Sequence, residues 1–258
     1  MLTKSKKHKL LLKLKEYQKM YFNNKITDLD ESGTRLMINF FLTDVLGFTP
    51  IEEVKTEYMI RGTYADYVVQ KKGVRHFLVE VKSLSLELSD KHLRQAINYG
   101  ANEGIEWALL TNGKNFELYK ILFNKPIESK KIFTIDLSSQ ELIKDNVEIL
   151  QYLHTESVAK KGLDLLWAKH VALDPASVAS LLYAPPIINF IRRALKKKYK
   201  NNVSPEEVTT SINQIICEAI QLDNVKHIKF RKERKKKNGN NDEKNVNIQI
   251  PCQPPSIE

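Results

Sequence analysis

Residues 64–83 read YADYVVQKKGVRHFLVEVKS, and how this stretch pairs decides the fold. Two runs rich in Val, Phe, Tyr and Leu flank Lys71-Lys72-Gly73, which is the pattern of a β-hairpin. A turn centred on Gly73 sets Asp66 opposite Glu80, because each lies seven residues from that centre. Directly opposed residues hold their Cβ atoms about 5 Å apart. Lys82 follows Glu80 by two residues and shares its face, about 6.5 Å farther along the strand. A slip of one residue would send the two acids to opposite faces.

Facing carboxylates repel and weaken a sheet. A hard divalent cation between them, Mg²⁺ or Mn²⁺, removes that penalty because it takes carboxylate oxygens. Such an ion polarises a phosphate, acidifies a bound water and stabilises a leaving oxygen. Lys82 beside it could orient the attacking hydroxide or neutralise charge growing on the phosphate. The next segment, SDKHLRQAINYGANEG at 89–104, reads as a helix, and Gln95 and Tyr99 share one of its faces at i, i+4. They could bond a phosphate or hold Lys82 in place. Each residue also has a bland reading: E-x-K arises by chance on half-exposed strands, Tyr99 packs and Gln95 is solvated. It is the conjunction of Asp66, Glu80, Lys82, Gln95 and Tyr99 that points to a metal-dependent phosphodiesterase.

These residues resemble the PD-(D/E)XK nuclease superfamily and, within it, the N-terminal nuclease domain of type I restriction enzyme R subunits. The flanks agree. ESGTRLMINFFLTDVLGF (31–48) is similar to that family's opening helix, and WALLTNGKNFELYKI (107–121) to the strand, turn and strand after its Gln/Tyr helix. The likeness covers about residues 28–137. It implies a restriction-endonuclease-like α/β fold, a mixed sheet flanked by helices. It also implies Asp66 and Glu80 as metal ligands, Lys82 as the catalytic lysine, and Gln95 and Tyr99 as supporting residues. Glu31 matches the family's helix acid and is the third metal ligand the likeness implies, with Asp28 and Asp30 nearby as alternatives; Ala65 stands where many members have Pro.

The 258 residues are too few for a nuclease plus a helicase motor, and no G-x-x-x-x-G-K-[ST] loop occurs. Ala184-Pro185-Pro186-Ile187 lacks the polar first residue of a methyltransferase signature. The expectation is a stand-alone nuclease-like protein. Hydrophobic residues make up 42%, enough to build one large or two small cores. No apolar run approaches the ~20 residues that span a bilayer, so a soluble, cytoplasmic protein is expected. Cys217 and Cys252 are too few for a disulfide framework, and the six histidines show no ligand spacing.

The net charge of +10 is concentrated in end segments. Residues 226–237 carry eight Lys/Arg against Glu233, and residues 1–16 carry six Lys against Glu16. Those two segments hold +7 and +5, which leaves −2 for the rest. Basic arms suit a polyanion, since Lys and Arg contacts release its counterions. Arg192, Arg193, Lys196, Lys197, Lys229, Arg231, Lys232 and Arg234 are the candidate nucleic-acid contacts. The alternative is a solubilising tail. MLTKSKKHKLLLKLKEYQKMYF lacks a signal cleavage site and reads as an amphipathic helix; an anionic membrane surface is a third option for it.

Periodicity predicts a nuclease-like domain over 1–138, a helical module over 139–224 and a basic, disordered tail over 225–258. In the module, FIRRALKKKYK could lay a basic face on DNA or be the solvated side of a helix packed through Ile187, Ile188, Ile191 and Leu195. A homodimer through this module is expected, as is an activating defence-system partner. Two function classes remain. One is a divalent-metal-dependent endonuclease on DNA, with RNA also open, serving restriction or DNA processing. The other is a catalytically silent nucleic-acid-binding or assembly subunit on the same fold.

Overall fold

In the computed structural model, which describes residues 1–22, 28–60 and 63–219, the hairpin turns between Lys71 and Val74. Lys72 and Gly73 both take left-handed backbone conformations, with φ of 51° and 77°. Two such residues make the type I′ turn that suits strand twist. Its centre falls between Lys72 and Gly73, half a residue short of the expected one. An unbroken ladder from this turn would set Asp66 opposite Val79. The register instead shifts between Val69 and Gln70: Gln70 faces Arg75, whereas Val69 faces Phe77, leaving His76 as an extra residue. Beyond this bulge Val68 faces Leu78 and Tyr67 faces Val79, so the next step carries Asp66 onto Glu80.

The chain opens with helices α1 (Lys4–Tyr21) and α2 (Glu31–Phe40), the latter running into a π-helical turn at Phe41–Val45. Strands β1 (Val54–Ile60), β2 (Thr63–Lys71) and β3 (Val74–Val81) follow. Helix α3 (Asp90–Glu103) then crosses to β4 (Trp107–Thr111), β5 (Asn115–Leu122) and β6 (Glu128–Asp136). The six strands form one sheet in sequence order. Every neighbouring pair is antiparallel except β3 and β4, which are parallel. This is the expected α/β architecture. A parallel pair needs a crossover, and α3 supplies it.

Alternation along β3 gives the sheet two faces. Val79 and Val81 join the cluster containing Leu10, Leu14 and Tyr17 of α1 and Met37 and Ile38 of α2. Leu78 joins Ala96 and Tyr99 of α3. Glu80 and Lys82 share the parity of Leu78. The apolar face of α1 is thus inside the core, and the membrane-surface option for this helix is corrected. The Tyr17 hydroxyl donates to the Gly113 carbonyl at 2.7 Å, and Gln18 Nε2 to the Leu137 carbonyl at 2.7 Å. Lys6 and Lys7 pair with Glu156 and Glu148, so two cations of the basic arm are already partnered.

Two compact units divide at His170, not at the expected 138. Helices α4 (Ile143–Leu150), α5 (Thr155–Val158) and α6 (Gly162–Ala172) place Ile143, Val147, Leu150, Val158, Leu163 and Leu166 in the core that holds α1. The switch to helical periodicity marks a change of element, not the end of a core. The second unit contains α7 (Pro175–Leu182), α8 (Pro185–Tyr199) and α9 (Pro205–Ala219). They surround Ala179, Val208, Ile212 and Ile216. Each begins with Pro, whose fixed φ suits the first helical position. Ser204 and Glu207 form a reciprocal capping box on α9, at 3.2 and 2.7 Å. Among the described residues no helix is long and apolar enough to cross a membrane. The tail at 225–258, with Lys229, Arg231, Lys232 and Arg234, lies outside the described residues.

Candidate active site

The site is built where the hairpin meets α2. Asp66 and Glu80 are both buried, 9% and 1% exposed, and Lys82 is 8% exposed. The Val81 N–H donates to Asp66 Oδ2 at 2.8 Å, so the strand that carries Glu80 also fixes the carboxylate facing it. Lys82 Nζ donates to Glu80 Oε1 at 2.6 Å. Glu80 Oε2 is buried and has no hydrogen-bond partner. A buried carboxylate oxygen without a partner is costly and asks for a ligand. Lys82 is held in turn by its own backbone, whose N–H bonds the Thr111 carbonyl of β4 at 2.8 Å.

Helix α2 brings Glu31 and Arg35, one turn apart. The Asp30 side chain is used as the N-cap, accepting from the Gly33 N–H at 2.7 Å. Glu31 is thereby the acid that reaches the site, with Oε2 3.8 Å from Lys82 Nζ. Arg35 Nη1 lies 3.5 Å from Asp66 Oδ1 and 3.3 Å from Glu57 Oε1. The Tyr67 hydroxyl donates to the Arg35 carbonyl at 2.6 Å and pins α2 beside β2. Counted fully ionised, the carboxylates of Glu31, Glu57, Asp66 and Glu80 face the cations Arg35 and Lys82, an excess of two negative charges.

Burial dominates the electrostatics. It pushes the Glu80 pKa up to about 7, against the hydrogen bond from Lys82 and with help from the charge of Asp66. Asp66 is also raised by burial, opposed by the Val81 N–H and by Arg35. Burial works against the Lys82 ammonium, but the hydrogen bond and charge of Glu80 outweigh it and hold its pKa above the usual lysine value. On α3, Gln95 Nε2 donates to the Tyr99 hydroxyl at 2.8 Å, so these two residues form one polar unit. Tyr99 is itself buried among apolar residues. His92, one turn earlier, feels the charges of Lys82 and Glu31 across space, and burial followed by Lys82 lowers its pKa.

Sequence reasoning missed Arg35, Glu57 and His92. Arg35 is four residues after Glu31, the helical spacing that could have flagged it. Glu57 sits in β1 with φ of 46°, a left-handed backbone that nothing in its sequence announces. Among the described residues no three His, Cys, Asp or Glu side chains close into a cage for a metal ion. Magnesium asks for less: one or two carboxylates, with water and phosphate oxygens completing its shell. Asp66 and Glu80, with Oε2 unpartnered, could hold it on those terms. Arg192, Arg193, Lys196 and Lys197 lie on α8, in the second unit.

The sequence of residues 31–133 matches the family described as type I restriction enzyme R protein N terminus. That span contains Glu31, Arg35, Asp66, Glu80, Lys82, Gln95 and Tyr99. No curated protein matches the chain. Among solved structures, the type IIG restriction endonuclease BpuSI aligns with 20% identity and a TM-score of 0.32. The alignment covers 64% of this chain and 21% of that one, so the chain spans about a fifth of that enzyme's length. The paired acids and lysine of the hairpin therefore sit in a restriction-nuclease-like domain, similar to the N terminus of type I restriction enzyme R proteins.

Proposed function

We propose that the first unit is a divalent-metal-dependent nuclease that hydrolyses phosphodiester bonds in DNA. One observation carries the reading: the buried Glu80 keeps Oε2 unpartnered, facing Asp66, with the Lys82 ammonium 2.6 Å from its other oxygen. Most buried polar atoms are hydrogen-bonded, and this one, unlike Gln151 Oε1 and Ser157 Oγ, belongs to a carboxyl group between a second acid and a lysine. The likeness to a restriction enzyme's R protein supports DNA as the substrate and restriction as the setting.

Asp66 and Glu80 are the residues that would hold Mg²⁺ or Mn²⁺, with Glu31 as an outer carboxylate. The bound ion would supply Lewis acidity to the phosphate, a more acidic water and charge relief at the leaving oxygen. The Val81 N–H keeps Asp66 turned toward Glu80. Lys82 holds a proton firmly, so its role is that of a fixed cation. It neutralises charge growing on the phosphate and orients the incoming water through its N–H groups. Arg35 fixes Asp66 from the α2 side. Gln95, tied to Tyr99, acts as a donor to a phosphate oxygen or as a brace for Lys82.

The test is cleavage of plasmid DNA, linear DNA and RNA in Mg²⁺, Mn²⁺ or chelator, beside a calorimetric Mn²⁺ titration. Asp66→Ala, Glu80→Ala and Lys82→Ala should each abolish cleavage and keep the native circular dichroism. Asp66→Ala and Glu80→Ala should also lose the Mn²⁺ isotherm. Full cleavage by any folded single variant, or activity in excess chelator, would overturn the proposal. A wild type that binds Mn²⁺ and DNA but cuts no substrate would replace it with a silent binding subunit.

A further inference from the structure

We infer that a groove on the second unit, between α8 and the loop leading into α9, is a seat for the sugar-phosphate backbone of nucleic acid. The groove has a volume of about 510 Å³. Arg192, Arg193, Lys196, Asn189 and Asn202 line it, and no carboxylate among the described residues does. Arg192 is already locked. Its Nε donates to the Val203 carbonyl at 2.7 Å and its Nη1 to Asn189 Oδ1 at 3.3 Å. A guanidinium held this way is an ordered wall, and its Nη2 has no protein partner among the described residues. Arg193 is exposed and, among the described residues, bonds only the Asn189 carbonyl through Nε, at 3.3 Å; Lys196 is exposed as well.

The charge state of this groove differs from that of the first unit. There, cations pair off, as in Lys7–Glu148, Lys120–Glu106 and Lys131–Glu117. Among the described residues of the second unit no ion pair closes, and the one acid shown to feel a groove cation is the exposed Glu206, which the charge of Arg192 reaches from a distance. From Arg192 to Lys200 the sequence holds six Lys/Arg and no acid. A solvated helix face commonly carries partners at i±4; this one lacks them and is concave. Like charges in a concavity focus the field and favour a polyanion. Arg forks match phosphate oxygens two at a time, and Asn side chains are common donors to the backbone. No aromatic residue among those described lines the groove, so none of them stacks a base there. The geometry therefore assigns it to sequence-independent backbone contact. The choice of nucleic acid over an acidic protein rests on the nuclease reading above.

The experiment is fluorescence anisotropy of the full chain with a fluorescein-labelled DNA duplex in chelator, where cleavage plays no part. Arg193→Glu/Lys196→Glu should weaken binding at least tenfold. It should also flatten the salt dependence by about two contacts' worth, since each phosphate contact contributes roughly 0.9 to the slope. The control pair Lys130→Glu/Lys144→Glu makes the same charge change at exposed positions outside the basic segments and should alter affinity less than twofold. An unchanged affinity in the groove variant would overturn the inference, as would an equal loss in the control pair. Polyglutamate competing as well as DNA would reassign the groove to an acidic protein. A wild type that binds through the groove and never cuts would sink the nuclease reading alone; a cutting enzyme whose groove variant binds normally would sink this one alone.

Discussion

At the residue scale, the site is defined by a carboxylate that ionises reluctantly beside a lysine that holds its proton. With the Glu80 pKa at about 7 when folded and 4.5 as its ordinary value, the unfolded chain loses this proton first as pH rises. Between those values the folded state binds more protons, so stability falls with rising pH, and the slope ends above about pH 7. Asp66, raised by burial as well, acts in the same direction. In chelator the contribution of Glu80 should therefore weaken from pH 5 to pH 7.5, read as the difference in melting temperature between wild type and Glu80→Gln, since His76, His92 and His154, their pKa lowered chiefly by burial, push the total the other way. Added Mg²⁺ or Mn²⁺ should recover more stability at pH 8 than at pH 5.5, because ligands bind deprotonated. A difference that instead grows in favour of the wild type through this window would contradict the assignment. Gln95 gives a second prediction. Gln95→Ala should slow single-turnover cleavage by about one to three orders of magnitude, the scale of losing one transition-state donor. DNA affinity measured in Ca²⁺ should hardly move; parallel losses of rate and affinity would make Gln95 a DNA-positioning residue. Asp66, Glu80 and Lys82 were legible because strand parity is written in the sequence. Arg35 and Glu57 were not, because an ion pair between a helix and a strand follows no sequence period.

At the element scale, the hairpin brings Asp66 opposite Glu80 by two offsets that cancel. The two-residue turn at Lys72-Gly73 misaligns the acids, and the bulge at His76 realigns them. The sequence reading placed the acids correctly with a turn centre half a residue off, because it could not see the bulge. Nothing in Arg75-His76-Phe77 departs from an ordinary strand pattern. Deleting His76 leaves every cross-strand partner in place, since Gln70–Arg75 and Val69–Phe77 then follow one another without a break. That variant should keep its Mn²⁺ isotherm, with a stability change within about 1–2 kcal/mol on urea unfolding. Loss of metal binding in a folded deletion would show that the local twist, and not the register, sets the site. The crossover helix was more legible: its Gln95 and Tyr99 share a face by spacing alone, and they do bond each other.

At the scale of the whole molecule, the core that carries the site is closed by segments from both ends of the first unit. A fragment ending at residue 170 should fold cooperatively and bind Mn²⁺, whereas one ending at 138 should not. The shorter fragment lacks Val147, Leu150 and Leu163, which share a core with Leu14 and Tyr17. Circular dichroism melts of the two fragments decide the matter; a cooperative transition in the shorter one would restore the earlier boundary. That boundary was misread because periodicity reports what kind of element a segment forms and is silent on which core it joins. The seating of α1 also has a consequence in time. Its Gln18 bonds carbonyls at Leu137 and Ser139, so the first helix emerges from the ribosome well over a hundred residues before its partners. At synthesis rates of roughly 5–20 residues per second, that wait is of order ten seconds. Through that interval the helix has Met37, Ile38 and Phe41 to pack against, but the carbonyls that Gln18 bonds are still missing, and Gly113, whose carbonyl Tyr17 bonds, is late as well. The nascent chain cannot yet be a finished site, so any cutting activity it acquires arrives only after its first unit has been made in full.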